Sequence, residues 1–181
     1  MNPVIAQDDE FKIRRLTEAD IPLMARWLSD ERVLEFYEGR DHPFDEDAVR
    51  EHFFADERGR LTQCIVEWGE DPIGYQQFYP LDLQERAEYA YLPETDVWGM
   101  DQFIGLPELW NQGLGARFVR LVAEHLQSQD PARIVTTDPR LVNARAIRCY
   151  EKAGFERRRV LPHHEFHEGA WWDGWLMVFR G

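Results

Sequence analysis

The stretch ELWNQGLGARF, Glu108–Phe118, sets Gly113 and Gly115 two apart where an amphipathic helix begins. Glycine in a helical turn costs roughly 1 kcal/mol relative to alanine. Binding of an anion would offset that cost. Free N–H groups at a helix N-terminus bind phosphate together with the helix dipole, and glycine leaves the approach open. Gly113, Leu114, Gly115, Ala116 and Arg117 would form the nest, with Gln112 beside it and the Arg117 side chain adding charge. The spacing is neither G-x-x-x-x-G-K-[ST] nor G-x-G-x-x-G, because Phe118 stands where a third glycine would fall. A tight loop with no ligand explains G-x-G equally well.

A second chemical candidate is Asp101, inside the otherwise apolar run VWGMDQFIG. A carboxylate there is costly unless something pairs with it, which points to a functional role. Aspartate ordinarily titrates near 3.9, so it is a weak base toward an ammonium group. It would need burial to raise its pKa, or would orient an amine and relay its proton through water. The run LPHHEFHEG, Leu161–Gly169, brings His163, His164, His167, Glu165 and Glu168 together in sequence. Its spacing is not H-E-x-x-H, and no metal is expected.

These residues need elements to hold them. FKIRRL, Phe11–Leu16, alternates like a half-buried strand. Thr17 caps the helix EADIPLMARWLSD, with Asp20 placed where the dipole favours an acid. Asp45–Phe54 reads as a second helix, and Leu61–Leu81 as two strands joined at Gly69–Pro72. Thr95–Gly105 is a strand, and GLGARFVRLVAEHLQ a helix with Phe118, Leu121, Val122 and Leu126 on one face. Ala132–Asp138 is a strand. Asn143–Gly154 is a helix with an Asn cap and a Gly stop, and two strands follow near Phe155–Leu161 and Trp171–Phe179. The order β-α-α-β-β-β-α-β-α-β-β predicts an α/β fold, a mixed twisted sheet of about seven strands flanked by about four helices. The 181 residues predict one domain, with a core over about 11–180.

Asn143–Phe155, NARAIRCYEKAGF, is an N-x-x-A-x-x-x-Y-x-K-x-G-F pattern that follows the glycine loop by about thirty residues. With that loop it resembles the GCN5-related N-acetyltransferase (GNAT) superfamily. The resemblance implies that the loop binds the pyrophosphate of acetyl-CoA. It implies that Met100–Ile104, including Gln102, Phe103 and Ile104, pairs with the pantetheine amides while the next strand splays away and opens a wedge. Asn143, Ala146, Arg148 and Tyr150 would lie near the cofactor, Tyr150 as the acid that protonates the departing thiolate. The family usually has Gln or Arg three residues before the first glycine; here that residue is Trp110, and Arg117 or Arg148 would supply the missing charge.

Longer runs resemble the aminoglycoside 6′-N-acetyltransferases, in particular the acetyltransferase halves of bifunctional acetyltransferase–phosphotransferases: LSDERVLEFYEGRD, VWGMDQFIG, RAIRCYEKAGF and LPHHEFHEG. The likeness runs from about Phe11 to Arg180. It implies direct transfer of acetyl from acetyl-CoA to a 6′-amine, with Asp101 as the active-site base. A polycation also needs carboxylates and aromatic faces. Glu35, Tyr37, Glu38, Asp96, Trp98, Asp101 and Asp138 supply them on the expected acceptor side. Each has a plainer reading: Glu35 as a turn cap, Trp98 as core, Asp138 as an Asx-turn before Pro139. The alternative acceptor is another small polyamine, amino sugar or siderophore amine.

The formal charge, 21 − 34 = −13, disfavours nucleic acid and favours small cations. Cys64 and Cys149 are expected as buried, reduced thiols of a cytoplasmic protein. No run nears the ~20 apolar residues of a membrane span, and MNPVIAQDDEF lacks a signal-peptide core. A monomer is expected in preference to a dimer.

Overall fold

The computed structural model describes residues 3–55 and 59–181. It contains one eight-stranded mixed sheet, in the order β1-β2-β3-β4-β5-β6-β8-β7. The strands are β1 (Val4–Gln7), β2 (Phe11–Arg15), β3 (Thr62–Trp68), β4 (Asp71–Pro80), β5 (Val97–Ile104), β6 (Ile134–Thr137), β7 (Phe155–His167) and β8 (Ala170–Phe179). The helices are α1 (Ile21–Trp27), α2 (Glu31–Leu34), α3 (Glu46–Phe54), α4 (Leu83–Glu88), α5 (Leu114–Gln129) and α6 (Ala144–Ala153).

The sequence predicts about seven strands and about four helices; the described residues form eight strands and six α-helices. The additional elements are β1, α2 and α4, of four, four and six residues. None spans enough turns or alternations to print a period. The long helix expected after Thr17 is a 3-10 turn, Glu18–Asp20, followed by α1. The segment Pro162–Gly169, between the two last strands predicted near Phe155–Leu161 and Trp171–Phe179, lies mostly within β7, which pairs with β8 from Phe155↔Phe179 out to His167↔Ala170. Glu168 and Gly169 take φ of 48° and 78°, the positive values that a tight hairpin turn requires.

Two compact units share the chain. The first runs to Gln77 and includes Gln102–Gln112. Its core holds Ile21, Met24, Trp27, Leu34, Phe53, Tyr75 and Phe103. Close approach inside it needs glycine: a Cβ on Gly74 would stand 2.4 Å from the Phe103 carbonyl, and one on Gly105 would enter the Trp27 ring. Asp20 lies in the first turn as expected, closes a capping box with Thr17, and at 7% exposed is also a buried hub. Its carboxylate accepts from both Arg14 guanidinium ends at 2.8 and 2.7 Å, and from Thr17 N and Oγ1 at 2.9 Å.

The second unit comprises Phe78–Asp101 and Gly113–Gly181. Leu81, Tyr89, Val97, Leu161 and Leu176 form one of its cores. Here β5 and β6 run parallel, paired from Val97↔Ile134 to Gly99↔Thr136. β5 continues beyond this pairing to Ile104. On its other edge β6 pairs antiparallel with β8, through Thr136↔Val178 and Thr137↔Met177.

Candidate active site

Side chains alternate along a strand, so Val97, Gly99 and Asp101 share one face of β5 while Trp98 and Met100 take the other. On the first face Tyr79 donates its hydroxyl to Asp101 Oδ2 at 3.1 Å. Gly99 makes room for that ring, since a Cβ would lie 2.9 Å from Tyr79 Cε2 and Cζ. Burial, then the charges of Asp101 and Asp138, push the Tyr79 phenol far up. Tyr79 therefore stays protonated and holds the Asp101 carboxylate as a fixed donor.

Asp138 follows β6. Its Oδ2 accepts from Tyr89 Oη at 2.7 Å and lies 2.5 Å from His164 Nε2. Burial alone would raise the Asp138 carboxyl, but hydrogen bonds and charge from His164, with Tyr89, outweigh it and hold it below the ordinary range. The Tyr89 phenol is pushed up by burial and by Asp138. Tyr150, 7% exposed on α6, hydrogen-bonds Thr137, packs on Phe155 at 5.7 Å and is pushed up by burial, with Asp101 and Asp138 both contributing. Asp101, Asp138, Tyr79, Tyr89 and Tyr150 thus gather electrostatically in the second unit. Tyr79, Tyr89 and His164 escape a reading of the sequence. Their partners lie 22, 49 and 26 residues away, and no local pattern marks such pairs.

Two expected acceptor residues sit elsewhere. Trp98 points to the face of β5 opposite Asp101, where the Arg133 guanidinium covers its ring at 4.3 Å. Asp96 accepts from Trp98 Nε1 and Arg133 Nε, each at 2.8 Å. The period-2 geometry of the strand separates Trp98 from Asp101, and the ion pair commits Asp96 to Arg133.

In the first unit, Tyr37 packs on Phe103 at 4.7 Å and on Tyr75 at 6.2 Å. Glu35 is exposed at the end of α2. Glu38 takes φ 66°, a left-handed conformation rare outside glycine, with Oε1 3.3 Å from His52 Nε2. Phe103 gives its side chain to the core, stacked on Tyr75 at 5.6 Å, so its backbone is what it has to offer a ligand. Gln102 is half-buried. Trp110 donates Nε1 to the Ile104 carbonyl at 2.9 Å and pins the end of β5. Gln112 is exposed, with its amide on Glu108 O.

The glycine loop is as expected in form. Gly113 is the N-cap of α5, at φ 84° and ψ −6°, with no side chain capping the first turn. A Cβ there would meet nothing within 4 Å, so the left-handed backbone is what calls for glycine. Leu114 is buried, Gly115 and Ala116 half-buried, and Arg117 exposed. An uncapped start to a sixteen-residue helix, with its rim open, fits a phosphate. Asn143 caps α6 by accepting from Ala146 N at 3.1 Å, and Arg148 on that helix is exposed. Cys64 is buried as expected; Cys149 is only half-buried, because the strongly amphipathic α6 turns it toward the rim of its apolar face. Burial pushes the two thiols up to about 12 and about 11. Among the described residues no group of three or more His, Cys, Asp or Glu side chains is placed to hold a metal ion. Among the described residues no helix is long and apolar enough to cross a membrane.

The model of the acetyltransferase (GNAT) domain family matches residues 17–162. The chain belongs to the GNAT acetyltransferases. A GNAT relative, the type 1 aminoglycoside N(6′)-acetyltransferase of Klebsiella pneumoniae, is 31% identical over 157 residues, which is 86% of this chain and 78% of that protein. Among solved structures, AAC(6′)-Ib in complex with ribostamycin and coenzyme A superposes with a TM-score of 0.74 at 28% identity, covering 94% of this chain and 93% of that one. The same enzyme with coenzyme A and kanamycin gives 0.73 at 28% identity, covering 93% of each chain. GNAT membership accounts for the mixed sheet.

Proposed function

We propose that this acetyltransferase is an aminoglycoside 6′-N-acetyltransferase that moves acetyl from acetyl-CoA directly to the 6′-amine of the drug. The observation that carries the reading is the gathering of Asp101 and Asp138 with three protonated tyrosines in the second unit. Two carboxylates suit an acceptor with several ammonium groups, and a surface of charge −13 draws polycations at long range. The relatives named above support the drug class.

Acetyl-CoA supplies the acetyl thioester. The N–H groups that open α5 after Gly113 would hold its pyrophosphate, with the exposed Arg117 on the same helix and the exposed Arg148 on α6 as added charge. Backbone N–H groups at Gln102 or Phe103 would polarise the thioester carbonyl. Asp101, held by Tyr79, orients the acceptor amine and takes or relays its proton. The free amine attacks the carbonyl carbon, the C–S bond breaks, and the thiolate leaves with a proton from Tyr150. Burial keeps that phenol protonated until a thiolate develops. No covalent enzyme intermediate is needed, and the raised Cys64 and Cys149 thiols are poor nucleophiles. Asp138 holds a second ammonium of the drug. Glu35, Tyr37 and Glu38 are proposed as further acceptor contacts. The protein would act in the cytoplasm, where acetyl-CoA is made.

Release of coenzyme A by the purified chain tests this, with kanamycin A, a matched drug bearing a 6′-hydroxyl, and spermidine as acceptors. Turnover of the 6′-amine drug alone is expected. Turnover of spermidine without kanamycin A would overturn the aminoglycoside reading and keep the acetyltransferase.

A further inference from the structure

The ladder between β7 and β8 is broken between Arg157 and Arg159 and, more widely, between Leu161 and Glu165. Leu161 pairs with Gly174 and Glu165 with Trp172, so Pro162, His163 and His164 stand opposite Asp173 alone. Such a bulge bends its strand and re-aims a side chain. Here it is fixed on both sides. His163 adopts φ 48°, and its N–H donates to Asp173 Oδ1 at 2.8 Å. Leu141 N donates to Asp173 O and Trp175 N to Pro139 O, both at 2.9 Å, which ties the segment after Asp138 to β8. A Cβ on Gly174 would lie 3.2 Å from Asp138 O and 3.3 Å from His164 Cδ2, tighter than ordinary contact, so glycine eases the close approach of the two segments. The product is the 2.5 Å contact between His164 Nε2 and Asp138 Oδ2, with the two side chains 17% and 27% exposed.

We propose that His164 is a positioning residue that gates Asp138: protonated, it occupies the carboxylate and excludes the acceptor's ammonium; neutral, it yields Asp138 to that ammonium. The proposal rests on the aminoglycoside reading above. Two cations compete for one oxygen, and only one can lose its proton and its charge without leaving. Tyr89 stays on Asp138 in both states, because its buried phenol does not ionise.

The groups facing His164 are Asp138 from the segment after β6, Glu88 and Tyr89 from the end of α4, and Glu165 next to it on β7. Arg140 faces Glu165 at 3.6 Å, and Asp173 on β8 is taken by the His163 N–H. The hydrogen bond to Asp138 raises His164 above the ordinary imidazole value against the opposing effect of burial, and the acids around it add to the rise. Acceptor binding is therefore weakened at low pH and strengthened as pH rises through the His164 titration. An acceptor bound at Asp138 in turn lowers the His164 pKa.

The test uses the full chain with kanamycin A. Nitrogen-15 histidine NMR follows the His164 titration in the wild type, with and without the drug, and in Asp138→Asn. The His164 pKa is expected to fall on adding drug and to fall in Asp138→Asn. In parallel, KM for kanamycin A is measured from about pH 6 to 8 in wild type and His164→Gln, which keeps a donor without a titrating charge. The ratio of the two KM values cancels the titration of the drug's amines and of His52 and His125. That ratio is expected to fall with rising pH, by at most roughly tenfold per pH unit for one linked proton. Parallel profiles, or a His164 titration that ignores the drug, would overturn the gate and leave the aminoglycoside reading standing. Failure of kanamycin A to bind or react at any pH would overturn both.

Discussion

Gly99→Ala offers a perturbation of Asp101 that touches neither Asp101 nor Tyr79 chemically. The added methyl would sit 2.9 Å from Tyr79 Cε2 and Cζ and 3.1 Å from Leu81 Cδ2. Ordinary carbon contacts begin at about 3.5 Å, so the buried ring must retreat by about 0.6 Å. The Tyr79 hydroxyl already stands 3.1 Å from Asp101 Oδ2. Such a retreat carries it past about 3.5 Å, where the hydrogen bond is lost. A hydrogen bond to a charged group contributes about 1.5–3 kcal/mol, so kcat/KM for kanamycin A should fall roughly 10- to 150-fold. Overpacking should lower stability by about 1–3 kcal/mol, read by denaturant unfolding at a temperature where the enzyme stays folded. The assay is release of coenzyme A, run on Gly99→Ala, Tyr79→Phe and the double variant. Both single changes break one bond, so the double variant should lose little more than either alone. Wild-type kcat/KM in Gly99→Ala, or losses that multiply in the double variant, would refute the reasoning that Tyr79 acts through Asp101.

Asp101→Asn should reduce kcat by about 10²–10⁴ while acetyl-CoA binding, measured by calorimetry, holds. Gly113→Ala forces a side chain into φ 84° without a clash, so it should cost about 1–2 kcal/mol in denaturant unfolding and raise KM for acetyl-CoA. Arg14→Met leaves the buried Asp20 carboxylate without its guanidinium and should cost about 3–5 kcal/mol. Against the effect of burial, Arg14 with Thr17 holds the Asp20 carboxyl below its ordinary value, and Lys12 with Arg14 does the same for Glu67. Their contribution is therefore present above the unfolded carboxylate pKa and is lost as pH falls through the folded ones. An acid-unfolding curve should show this step in wild type and a smaller one in Arg14→Met.

Much of the machinery was legible in the chain. Gly113 and the apolar face of α5 announce a helix that begins on a left-handed residue, and Asn143 and Gly154 mark both ends of α6. These are local rules of backbone freedom and capping, so neighbours in sequence suffice to state them. Asp101 stood out because a charge inside an apolar strand demands a reason. The short α2, α4 and β1 did not show, because a period needs more turns than they have.

Sequence by itself determined the element types, the family pattern and which residues carry charge into a strand. Tertiary structure decided which of those charges work together. It set Trp98 on the far face of β5 and bound Asp96 to Arg133. It made Asp20 a buried partner of Arg14 as well as a residue of the helix start. It extended the last two strands into a bulged hairpin that delivers His164 to Asp138. The physical reason is range: capping and periodicity act over a turn or two of chain, whereas a buried carboxylate takes whatever donor the fold brings to it, from any distance along the sequence.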